Sequence, residues 1–125
     1  MSKRLIFATA LMALTGVAHV TGGGADVYQP LLAVVPSDEL RVYQGLLWHF
    51  VTAYFALGTL GLLWALQNEH HRRQTVVCVG ILAMAMGVLF LGYGAAVLGT
   101  VWTAPQWVIL FAIAALTLWS ARRTA

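Results

Sequence analysis

Long apolar runs separated by short polar breaks dominate this chain. Four runs stand out, at approximately 5–20, 42–66, 76–101 and 107–120. About 20 apolar residues cross a bilayer as a helix, and about 17 suffice. The second and third runs meet that length, and the first and fourth reach it by borrowing flanking residues. The pattern predicts a single integral-membrane domain over 1–125, with spans near 4–21, 41–67, 75–98 and 104–121 and an outer loop at 22–40. The expected fold class is all-α, a four-transmembrane-helix antiparallel bundle.

Within the runs, helical spacing sorts the polar positions. Ala8, Met12, Thr15 and His19 share one face of the first helix, and Gly45, His49, Thr52, Ala56 and Thr59 share one face of the second. Small and hydroxylated faces of this kind pack against other helices in lipid, so the first two helices are expected to face each other or a shared interior. Gly22-Gly23-Gly24 is expected to end the first helix. The apolar stretch at 31–35 is too short to span and should rest in the interface or dip into the mouth of the bundle. Pro36 precedes Ser37, a candidate N-cap, and Asp38 and Glu39 fall in the first turn, where acids suit the helix dipole.

Composition agrees with the pattern: 61% of residues are hydrophobic and only 9% charged, too few to clothe a soluble domain. The net charge of +3 comes from basic residues gathered at helix ends, as Lys3/Arg4, Arg72/Arg73 and Arg122/Arg123, with Arg41 apart. Such clusters are topology signals, not a phosphate-binding stripe, and argue against nucleic acid as a partner. All three pairs can be cytoplasmic only if the chain crosses four times with both termini inside, which points to the bacterial inner membrane. Trp48, Trp102 and Trp107 would then mark the outer interface, and Trp64 and Trp119 the inner one. A cleaved signal peptide ending near Ala18 is the competing reading; it would leave three spans and start the mature chain at His19. The single cysteine, Cys78, excludes an internal disulfide.

Candidate chemistry is confined to the first hairpin. His19 and His49 lie inside apolar runs, where ionisable groups are costly and therefore functional candidates. With Arg41, Thr15, Thr52 and Asp26 they make a polar cluster expected at the outer end. Three readings are open for it. The histidines ligate a b-type haem or a transition metal; they line a pocket for a small or lipid-like ligand; or they are interhelical hydrogen-bonding glue in an accessory or assembly subunit, alone, as a homo-oligomer or in a larger complex. No serine, cysteine or paired-carboxylate constellation accompanies them, so a catalytic reading is weakest. His70 and His71 read as a solvated turn. A faint repeat relates Gly16 and Gly23 to Gly87 and Gly94, with Phe90 and Val108 where His19 and His49 would recur.

The run Ala18-His19, Gly22-Gly23, Pro30-Leu31-Leu32, Leu40-Arg41, Trp48-His49 and Thr52 resembles a pattern found in small bacterial four-helix membrane proteins, an AH…GG…PLL…LR…WHxxT arrangement over the first half of the chain. The resemblance implies location and fold and brings no assigned activity. In general shape the chain is also similar to DoxX-like four-helix membrane proteins.

Overall fold

A computed structural model describes residues 3–122, and every regular element among the described residues is helical. Helix α1 (Lys3–Ala18) runs without a break through a π-wound stretch, His19–Tyr28, into α2 (Gln29–Val34). A short turn leads to α3 (Asp38–Gln67), one residue to α4 (Glu69–Leu98), and a loop to α5 (Gln106–Ala121). Three of these stretches, Lys3–Val34, α3 and α4, are long and apolar enough to cross a membrane. Arg123 and Ser2, both used in the topology and signal-peptide expectations, lie outside the described residues.

The glycine triplet does not end the first helix. Instead the backbone widens through it, and the stretch expected as a loop at 22–40 is helical except for its turn at 35–37. The apolar stretch at 31–35 supplies most of α2. The caps follow the expected chemistry more closely: Ser37 Oγ accepts a hydrogen bond from the Leu40 amide at 3.3 Å, with Asp38 and Glu39 in the first turn of α3. Gly99, at φ 66°, closes α4 in the left-handed conformation that glycine adopts without strain.

The α3–α4 junction is tighter than a solvated turn. His70, His71, Arg72 and Arg73 all belong to the first turns of α4. Arg72 donates from Nε to the Ala65 carbonyl at 2.8 Å and from Nη2 to the Leu66 carbonyl at 3.3 Å, satisfying acceptors that the end of α3 leaves open. The Trp64 carbonyl accepts twice from Asn68, from its backbone N–H and from its side-chain amide, each at 3.0 Å. His71 stacks on Trp64, with ring centroids 5.3 Å apart.

Helix α1 packs against α3 and α5, and α4 packs against the same two, which closes a ring. Glycines set the register. A Cβ on Gly23, Gly16 or Gly58 would meet Trp48, Phe55 or Met12 respectively, so α1 and α3 run antiparallel. Carried on, that register sets Arg4 level with the last turn of α3. Arg4 also lies 3.8 Å over the Trp119 ring near the end of α5. On α4, a Cβ on Gly80 would fall 2.6 Å from Thr117 Oγ1 and one on Gly87 would fall 2.5 Å from Phe111, while Gly94 faces the backbone at Thr100. Glycine every seventh residue lets α4 and α5 touch backbone to side chain. Lys3, Arg4, Arg72, Arg73 and Arg122 therefore share one end of the molecule.

The buried core is lopsided. Leu5, Met12, Phe55, Leu62, Val76, Ala83, Leu110 and Ile113 all lie toward that basic end. Phe55, the outermost buried residue of α3, is twelve residues from its end, or about 18 Å at helical rise. Beyond it neither α1 nor α3 buries a residue fully, and α4 buries only Ala83, Gly87 and Gly94, the two glycines against the α5 side. The four helices thus share a core over roughly half of a ~30 Å hydrocarbon thickness and continue outward as two separate pairs.

Candidate functional site

At the far end of the first pair, α1 and α3 are joined by an aromatic stack. The His19 ring lies on the Trp48 indole, centroids 4.1 Å apart and planes 21° from parallel, and Tyr28 stacks on the same indole at 5.0 Å and 13°. The winding explains how both rings reach one partner. In an α-helix, at about 100° per residue, residues nine apart point to opposite sides. In a π-helix, with about 4.4 residues per turn, nine residues make two turns and the side chains return to one face. Gly23, midway between them, leaves room for the indole edge: a Cβ there would be 3.1 Å from Trp48 Cη2. Gly45 does the same for the Tyr28 hydroxyl, also at 3.1 Å.

Hydrogen bonds complete the junction. His19 Nε2 lies 3.4 Å from the Trp48 carbonyl, and since a carbonyl only accepts, Nε2 is the protonated nitrogen. Thr52 donates to the same carbonyl at 3.2 Å. One backbone oxygen thus holds a bond across the helix pair and one along its own helix.

The remaining predicted residues scatter. His49 is exposed and meets the edge of Tyr28, at 5.8 Å. The α3 stripe expected to be headed by His49 is displaced by one position: the face toward α1 carries Gly45, Trp48, Thr52, Phe55 and Leu62, while His49 and Ala56 point outward. Thr15 donates to its own helix, to the Leu11 carbonyl at 2.7 Å. Arg41 pairs with Asp38 at 3.0 Å on the surface. Asp26 is exposed on the π-wound stretch, with no side-chain partner among the described residues. Arg41 does border a cleft of about 570 Å³ between α2 and the start of α3, lined also by Tyr28, Gln29, Leu32, Ala33 and Val42.

His19 and His49 thus attend to different rings and share neither a hydrogen bond nor a stacking contact. With Nε2 donating to the Trp48 carbonyl, Nδ1 is the one ring nitrogen of His19 left to bind a metal. Among the described residues no group of three or more His, Cys, Asp or Glu side chains converges on a point. Sequence reasoning passed over Trp48 as a belt residue and gave Tyr28 no role. The signal for both was the glycines opposite them, Gly23 and Gly45, which make room for bulk on the facing helix. No protein family, curated protein or solved structure matches the chain.

Proposed function

We propose that the chain is a four-span inner-membrane protein with both termini in the cytoplasm, acting as a structural or assembly subunit. What carries the structural reading is the use of His19: its ring and its Nε2 proton are both engaged by Trp48, so the histidine of the first span is engaged as a fastener to the facing helix. Orientation is supported by the basic residues at a single end, where short cytoplasmic segments concentrate Lys and Arg. Helix α5, at 16 residues, is about 24 Å long and completes its crossing with the loop at 100–105, where Trp102 and Trp107 sit against each other at 5.4 Å.

The topology is tested by cysteine labelling on a Cys78→Ser background. A membrane-impermeant maleimide should react with Ser37→Cys and Thr103→Cys in intact cells, and with His70→Cys only after permeabilisation. Labelling of all three from outside overturns the four-span arrangement, and the reverse pattern overturns its orientation. An absorption spectrum with elemental analysis of gently purified protein tests the structural role against the haem and metal readings: the expected result is no Soret band and no stoichiometric metal.

A second reading is favoured by the cleft beside Arg41, which offers a guanidinium, a phenol and apolar walls to a small anionic amphiphile. Under that reading Arg41→Ala abolishes retention of such a ligand while leaving the fold intact.

A further inference from the structure

A second concavity lies outside the aromatic junction. It is a groove of about 1000 Å³ between α3 and α4, apolar almost throughout, extending along α4 from Gln74 to Phe90. Its origin is the lopsided core. Near Asn68 the two helices are in contact, Gly61 facing Thr75 at 3.4 Å from its would-be Cβ, whereas farther out the two helix pairs no longer share buried residues and the groove walls become Phe50, Leu89 and Phe90.

Two tyrosines stand at the outer mouth. Tyr43 lies seven residues from Phe50 on α3, and Tyr93 lies three and four residues from Phe90 and Leu89 on α4, so both continue the groove faces. Each is 25 residues from Asn68, which makes them level, about 38 Å from the inner turn. Both are exposed, at 58% and 69%. Phenols at that height fall at the headgroup level, where tyrosine is favoured because one end is apolar and the other donates a hydrogen bond.

We infer that this groove is a binding site for one phospholipid of the outer leaflet, its chains in the groove and its phosphate or ester oxygens hydrogen-bonded to Tyr43 and Tyr93. Dimensions support that occupant. A chain of one leaflet, about 15 Å, hung from the tyrosines ends near Leu82, at the level where Phe55 and Ala83 enter the shared core, and fills the outer half of the groove. A second copy of the protein fits less well. Close helix approach in lipid needs a continuous row of small residues, and the groove walls carry Phe50, Leu57, Leu82, Met86 and Leu89, which are long or bulky and adapt to a thin chain.

The inference rests on the membrane-spanning reading, and its test is made on protein already shown to be oriented by the labelling experiment, so the two fail separately. Delipidated protein in mild detergent is titrated with palmitoyl-oleoyl phosphatidylglycerol and read by native mass spectrometry. One lipid per chain should bind, with about tenfold weaker affinity in Ala85→Trp, which fills the groove, and several-fold weaker affinity in Tyr43→Phe/Tyr93→Phe, whose melting should be unchanged. Equal binding by wild type and Ala85→Trp overturns the site, as does a dimer in place of the lipid adduct. Cys78 gives a second readout, being exposed in the groove and the chain's one cysteine. A bimane label there should be quenched saturably by phosphatidylglycerol brominated in its chains. Quenching no different from a label on Ile81→Cys, on the lipid-facing side of α4, means bulk contact only and refutes the site.

Discussion

Replacing His19 by phenylalanine and by alanine separates the two interactions that fasten α1 to α3 at the outer end. Phenylalanine keeps an aromatic plate against Trp48, 4.1 Å away in the native protein, and removes only the Nε2 proton that meets the Trp48 carbonyl at 3.4 Å. The carbonyl keeps its bond from Thr52. Interhelical hydrogen bonds in membranes average about 0.6 kcal/mol, so His19→Phe should cost roughly that much. Alanine removes the stack as well, and aromatic pairs are worth about 0.5–1.5 kcal/mol beyond their buried area, which brings His19→Ala to about 1–2 kcal/mol. Because the hydrogen bond goes to the backbone, Trp48→Ala leaves it in place, and a double-mutant cycle between His19→Ala and Trp48→Ala isolates the ring contact at about 1 kcal/mol. The assay is unfolding by increasing SDS in mixed micelles, followed by circular dichroism so that the loss of one tryptophan does not change the probe. A coupling energy near zero, or an unchanged midpoint for His19→Ala, would refute the fastening role and return His19 to the functional candidates.

Three further outcomes follow from the packing. Gly23→Ala should destabilise the protein by about 1 kcal/mol because its Cβ would fall 3.1 Å from an indole already stacked by His19 and Tyr28, whereas Gly22→Ala, with nothing within 4 Å, should gain a few tenths from better helix propensity; equal effects in the same SDS titration would contradict the stack. Gly87→Ala should cost about 1–3 kcal/mol against Phe111, while Gly92→Ala, which meets nothing, is tolerated; thermal melting in detergent ranks the two. Tyr54→Phe should be neutral or stabilising by about 1 kcal/mol, because the Tyr54 hydroxyl is buried without a partner among the described residues, and a clear loss of stability would show that it has one.

The helices, the pairing of α1 with α3, and the Ser37 cap were legible in the sequence because each depends on local spacing or on a side chain beside its own backbone. The continuation through Gly22-Gly23-Gly24 was not. Taken locally, three glycines end a helix; in the structure the helix widens through them, and Gly23 makes room for Trp48. A 3.6-residue period likewise puts His19 and Tyr28 on opposite sides, and only the contact with a distant indole shows that the period there is longer. The same one-position error made His49 the head of the inner face of α3, because a histidine in an apolar run draws attention that the neighbouring tryptophan does not. Thr15 and Arg41 were placed correctly on their helices, but their partners, Leu11 and Asp38, lie in the same helix, so a shared face did not become a shared site.

The wide winding between His19 and Tyr28 also stores spare chain. Two turns there consume nine residues where an α-helix would use about seven. Deleting Gly22 and Gly24, neither of which has a neighbour within 4 Å of a would-be Cβ, would put the histidine and the tyrosine seven residues apart and on one side of an ordinary helix. The segment is therefore a position where chain length can change by two while the contact surface is preserved, so versions of this protein two residues shorter at this point would be expected to keep the tryptophan.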